Sequence, residues 1–238
     1  MRKFSKFSAI AVLVSSIVSS ACANWYDGVF VGAEANYNIK SKLKAHYNVQ
    51  ITNAVGDFDT DNGQFGLGLK VGYDLDFMRV YGAINHNFET KSDSAISAYS
   101  SFDEKPKWSG NDFILGADWT PKFSLGGVDF KGILGAYGGL SYLDLKYNAV
   151  NNAPGGDTFK FDSSLDGFVY GAKFGAIYEL NKMGEVEFGF KFDNAKYGNE
   201  NLSFVVCNYG NCTTINGMEV SNAKRTNLGL FVGYNYKF

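Results

Sequence analysis

The sequence predicts an all-β chain: an eight-stranded antiparallel up-and-down barrel that crosses a membrane. Three observations carry this. Eight segments alternate between apolar residues and small or polar ones with period two. The connections between them are short and long in turn. The chain opens with a basic start, a short apolar run and a small-residue stretch.

The opening reads as an address. Arg2, Lys3 and Lys6 precede the apolar run Ala9 to Val18, and Ala21-Cys22-Ala23 fits an A-x-A cleavage pattern. The run falls short of the about 20 residues a spanning helix needs. Residues 1–23 are therefore expected to be a cleaved signal peptide, and residues 24–238 the barrel. A lipidated Cys22 is the weaker alternative, because Ser19 stands where a branched apolar residue is expected. Beyond residue 23 there remain 19 basic against 24 acidic residues, a net charge of −5. That balance argues against a nucleic-acid partner.

The segments follow in order. Val29, Val31, Ala33, Ala35 and Tyr37 share one face, opposite Phe30, Gly32, Glu34 and Asn36. The split is cleaner in the second segment, where Phe65, Leu67, Leu69, Val71, Tyr73, Leu75 and Phe77 oppose glycines, Lys70, Asp74 and Asp76. The third is less decided, with Val80, Ile84 and Phe88 outward. The fourth sets Phe113, Leu115, Ala117 and Trp119 against Asp112 and Asp118; the fifth sets Phe130, Leu134, Ala136, Leu140 and Tyr142 against Lys131. In the sixth, Phe168 to Leu180 alternate with Lys173 and Glu179. In the seventh, Val186, Phe188, Phe190 and Phe192 alternate with Glu187 and Lys191. The eighth, Asn227 to Phe238, carries Leu228, Leu230, Val232, Tyr234, Tyr236 and Phe238 on one face. Long polar connections are expected at 39–62, 89–108, 146–164 and 194–222, with short turns elsewhere.

Side-chain volume decides which face is the core. The interior of eight strands barely holds side chains, so the large apolar face cannot turn inward. Glycines and a few charges fit there. Glu34, Lys70, Asp74, Asp112, Asp118, Lys131, Lys173, Glu179, Glu187 and Lys191 carry both signs and are expected to pair inside. The apolar face then meets lipid, and closing the ring removes sheet edges that a bilayer would not tolerate. A soluble eight-stranded barrel or a β-sandwich fits these patterns less well.

With the ending Tyr234-Asn235-Tyr236-Lys237-Phe238, the chain resembles the small outer-membrane β-barrel family, such as opacity-type surface proteins and the OmpA membrane domain. The resemblance implies the outer membrane of a Gram-negative bacterium, with its lipid and lipopolysaccharide as surroundings. It also implies that Tyr234, Tyr236 and Phe238 form a signal for the barrel-assembly machinery. It says little about activity, because one fold hosts many functions.

Few residues suggest chemistry. Cys207 and Cys212 flank four turn-forming residues, which reads as a hairpin stapled by a disulfide in an exported chain. Asp57, Asp59 and Asp61 alternate as weak Ca²⁺ candidates, but Asn62 stands where the calcium-loop pattern needs Gly. His46 and a later Asp93-Ser94 loosely resemble lipid A palmitoyltransferases, without a strand-locked triad. His86 lacks the deacylase pattern. The chain is therefore expected to use no metal or cofactor and not to be an enzyme. A structural or adhesin-like role through four external loops is expected, possible extracellular ligands included, with a narrow passive pore as the alternative.

Overall fold

The computed structural model describes residues 27–49, 54–91, 102–104, 106–151, 158–208 and 211–238. The expected signal peptide lies outside these, as do Asp93 and Ser94. The strands are β1 (Val29–Val49), β2 (Ala54–Asp74), β3 (Met78–Lys91), β4 (Phe102–Glu104), β5 (Lys107–Trp119), β6 (Lys122–Leu125), β7 (Val128–Asn151), β8 (Thr158–Glu179), β9 (Gly184–Tyr197), β10 (Glu200–Asn208) and β11 (Asn211–Lys237).

Eight of them form a ring of antiparallel ladders in the order β1, β2, β3, β5, β7, β8, β9, β11. The ring closes where β11 pairs with β1 from Phe30 opposite Lys237 to Val49 opposite Met218. Every strand of the spanning wall thus has a partner on both sides, the condition for a sheet in lipid. The remaining strands extend this wall: β6 forms a hairpin with β7, β4 lies against β7, and β10 bridges β11 and β8.

Tight turns and both ends of the described chain share one rim. Asp76 takes a left-handed φ of 74° between β2 and β3, and its N–H donates to Asp74 Oδ1 at 2.9 Å. Gly126 and Gly127 turn the β6–β7 hairpin with φ of 61° and 81°, the backbone that a two-residue hairpin with right-handed strand twist demands. Phe238 N–H donates to Val29 O at 3.0 Å on the same rim.

The outward faces form an apolar girdle. Leu69, Leu115 and Phe174 are 68%, 75% and 66% exposed on the isolated chain. This girdle is the face expected to meet lipid. Phe231, the aromatic on the other face of the last strand, points inward and packs with Ile133 and Ile177.

The expectation of four long loops is corrected. Most of the polar connections are strand: β1 runs to Val49 and β11 starts at Asn211. The reason is an inversion of polarity along the wall. On β7, Ser141 faces inward and Leu140 outward within the girdle; further on, Leu143, Leu145 and Tyr147 face inward, while Lys146 and Asn148 are exposed. On β8, Phe161 and Leu165 face inward while Asp162, Ser164 and Asp166 face out. Past the girdle the surroundings are water, so apolar groups move inside and charges outside. Read as average polarity, such segments look like loops; read by alternation, they are strands of opposite sense.

The glycines test this packing. A Cβ on Gly189 would sit 2.2 Å from Phe174 O, on backbone that cannot yield, whereas one on Gly82 first meets Leu115 Cδ2 at 3.5 Å. Gly189→Ala should destabilise the barrel by about 1–3 kcal/mol, and Gly82→Ala by less than about 0.5 kcal/mol. Urea titration of the heat-modifiable gel band measures both.

Candidate functional site

Alternation places charged side chains inside the girdle, and the closed ring leaves them only one another. At the short-turn rim, Arg79 Nη2 lies 2.8 Å from Asp74 Oδ2 and 2.7 Å from Glu185 Oε2. Lys237 Nζ adds contacts of 2.8 Å to Glu185 and 3.2 Å to Asp74. Lys131 Nζ reaches Glu179 at 3.0 Å. The Arg79 guanidinium stands 5.4 Å from the centre of the Phe30 ring. Outside the wall, the Lys122 ammonium 2.9 Å from Asp76 holds that carboxylate below its ordinary range, and Asp76 in turn raises Lys122.

The middle of the lumen is equally filled. Lys70 pairs with Glu187. Asn235 Nδ2 donates to Glu187 Oε2 at 3.1 Å and to Glu185 Oε1 at 2.9 Å, linking this layer to the rim. Lys173 Nζ lies 2.7 Å from Asp118 Oδ2 and 4.3 Å from the centre of the Tyr81 ring. Lys191 reaches Glu34 at 3.3 Å. The space left among Glu34, Lys70, Tyr81, Tyr137, Lys173 and Lys191 is about 20 Å³, room for about one water.

A third layer centres on Arg225. Its Nη2 donates to both oxygens of Asp112, at 2.9 and 2.7 Å, and lies 3.7 Å from Asp193 Oδ1. Ser141 Oγ donates to Asp112 Oδ1 at 2.6 Å, and Asn87 Nδ2 to Asp112 Oδ2 at 2.9 Å. Asn227 Nδ2 donates to Asp193 Oδ1 at 3.1 Å. Above it the lumen turns apolar: Leu43, Trp108, Leu143, Leu145, Leu165 and Ala195 are each at most 1% exposed. Each large side chain buried there contributes about 1.5–3 kcal/mol.

Of the charges expected inside, Lys70, Asp112, Asp118, Lys131, Lys173, Glu187 and Lys191 are buried. The carboxylates of Asp74 and Glu34 are nearly so, at 6% and 12%. Glu179 departs: at 49% exposed it sits on the short-turn rim, because β8 ends there. Arg79 and Arg225, the two arginines that organise the end layers, were absent from the expected set. Alternation with Val80 could have placed Arg79. Arg225 falls between the connection expected at 194–222 and the strand expected from Asn227, so alternation gives it no face.

Cys207 and Cys212 face each other in the β10–β11 ladder, with their Sγ atoms 2.08 Å apart. Of the calcium candidates, Asp61 pairs with Lys40 at 3.2 Å, and the side chains of Asp57 and Asp59 lie outside the described residues. Among the described residues, no group of three acidic, His or Cys side chains converges as a metal site. His46 lies on β1. His86 is exposed on the outer face of β3, with Nδ1 2.8 Å from Asn111 Oδ1.

No protein-family model and no curated protein sequence matches the chain. Solved structures do. A major outer membrane protein from Thermus thermophilus superposes with a TM-score of 0.55 at 13% identity, covering 87% of this chain and 99% of its own. Neisserial surface protein A gives 0.42 at 18% identity, over 89% and 97%. The outer membrane protease OmpT of Escherichia coli gives 0.36 at 10% identity, over 88% and 97%. The likeness is one of fold: an outer-membrane β-barrel. It corrects one expectation. An outer-membrane barrel hosts enzymes as well as non-enzymes, and fold alone does not separate them, so the expectation that the chain is not an enzyme is withdrawn. Asp93 and Ser94, in the second long connection, lie outside the described residues and add no ground for that exclusion.

The ion pairs make the lumen testable. Lys173→Met would leave the Asp118 carboxylate buried without its cation, at a cost of about 3–5 kcal/mol. Adding Asp118→Leu should recover a large part of that loss, because no stranded charge remains. Urea midpoints of the three proteins in detergent give the comparison.

Proposed function

We propose that this chain, an outer-membrane β-barrel by fold, acts at the cell surface through the sheet it raises beyond the girdle, in a structural or adhesive role. One observation carries the reading. The barrel is sealed twice, by ion-paired layers at girdle height and by an apolar core above them, while its wall continues outward as strand. A lumen with space for about one water at its middle is poorly suited to transport. An ordered external sheet is well suited to recognition, because its backbone entropy is already spent in folding.

The β10–β11 hairpin is the natural contact element. It rises from the ring and is pinned at its tip by the facing cysteines. It is steadied at the side where Val205, Val206 and Cys207 pair with β8. Val206 and Ile215 pack onto the apolar core, which couples the hairpin to the barrel. The ligand is an extracellular molecule met by this sheet.

Tyr234 and Tyr236 lie on the girdle face of β11 and Phe238 directly follows its end, with Tyr236 and Phe238 ring centres 5.2 Å apart. In this reading they form the segment that the barrel-assembly machinery engages. Deleting Phe238 should reduce the heat-modifiable form in the outer-membrane fraction severalfold; undiminished insertion would remove the role.

Two measurements test the surface reading. Purified barrel in a planar bilayer should give no steady conductance, and stable channels would overturn the sealed lumen. Cells displaying the chain should bind epithelial monolayers more than vector controls do. Replacing residues 203–216 by a short turn should abolish the difference while the heat-modifiable band persists. Equal binding by the two strains would exclude the hairpin as the contact element.

A further inference from the structure

Lysines face one another across neighbouring strands at two places on the outer wall, and the two are neutralised differently. Lys107 of β5 stands between Lys146 of β7 and Lys91 of β3. Glu89 of β3 reaches Lys107 and Lys146, at 3.2 Å and 3.8 Å, and offsets their repulsion. On β9 and β11, Lys196 stands opposite Lys224, and Lys44 of β1 is opposite Lys224 on its other side. Among the described residues, neither Lys196 nor Lys224 forms an ion pair, and both are exposed. Asp166, on the neighbouring β8, makes no ion pair with Lys196.

Like charges directly opposite in a ladder are destabilising. The chain relieves one such pair with its own carboxylate and leaves the other for an anion from outside. Height on the wall says which anion. Lys196 is opposite Phe168, the last exposed aromatic of the girdle on β8. Beneath it runs an apolar strip of Phe168, Tyr170, Phe190 and Phe192, all exposed. Cations at the rim of the girdle with an aromatic strip below match a molecule with a phosphate head and acyl chains.

We propose that Lys196 and Lys224 form a binding site for the phosphate of an outer-leaflet glycolipid, whose acyl chains lie along the aromatic strip. The site uses the outer wall and is independent of the hairpin contact proposed above. It rests on the girdle lying in the membrane. The heat-shifted band reports that condition separately, so loss of the site and loss of the barrel are distinguishable.

The test uses the full barrel refolded in neutral detergent, with native mass spectrometry reading the bound fraction. Diphosphoryl lipid A should be retained at one molecule per barrel, and retention should fall about tenfold in K196Q/K224Q. The K107Q/K146Q protein, whose cations are already paired with Glu89, should retain it as the unmodified protein does. All these proteins should show the heat-shifted band, since the changed side chains lie on the outer surface. Undiminished retention in K196Q/K224Q, or an equal fall in K107Q/K146Q, would overturn the site. Retention of dephosphorylated lipid A at the same level would remove the phosphate from the argument. Displacement of the lipid by an equal concentration of inorganic phosphate would show a free-anion site and overturn the lipid assignment.

Discussion

In the hydrocarbon of a bilayer a backbone N–H or C=O has no water to pair with, so the seam between the first and last ring strands governs the rest. That seam joins residues nearly the whole chain apart: Phe30 is opposite Lys237, and Ala33 is opposite Tyr234. Once it forms, no edge remains in the spanning wall, and each side chain is committed either to lipid or to a narrow lumen. The alternation of apolar and small or polar residues is the sequence's answer to that commitment. Glycines and asparagines line the lumen beside the charges because eight strands leave little room there.

The same closure explains why the buried ions are tolerated. A lone charge would cost several kcal/mol to bury. Here each layer sets opposite charges from distant strands together: Lys70 of β2 with Glu187 of β9, Lys173 of β8 with Asp118 of β5, and Arg225 of β11 with Asp112 of β5. These contacts cross the lumen, so they hold opposite walls as well as neighbouring strands. Asn235 joins two layers by donating to Glu185 and Glu187 together. A network of this kind fixes ring geometry and leaves little space among its own side chains.

Above the girdle the outer surroundings change from lipid to water, and the wall changes its sense with them. Inward positions become Leu143, Leu145, Leu165 and Leu43, and outward positions become lysines and aspartates. One strand therefore carries two amphipathic patterns of opposite sign. The upper part folds like a water-soluble barrel, and the facing pair Cys207 and Cys212 staples its β10–β11 hairpin. In the proposed reading, this upper sheet is the part of the barrel that meets other molecules.

The sequence by itself determined the all-β class, the eight spanning segments, their outward faces and the sign of most lumen charges. Period-two alternation is a local property, and volume alone forbids large aromatics inside eight strands. It did not determine how far the strands extend. The segments 39–62 and 194–222 were polar on average, and the inverted alternation within them acquires meaning only when closure supplies an inside. Nor could it choose partners. Arg225 and Asp112 are brought together by a register set across the whole ring. Lys196 is placed against Lys224 by one ladder, and Lys107 and Lys146 are given Glu89 by another. Those juxtapositions belong to the tertiary structure, because strand pairing between distant segments has no local signature.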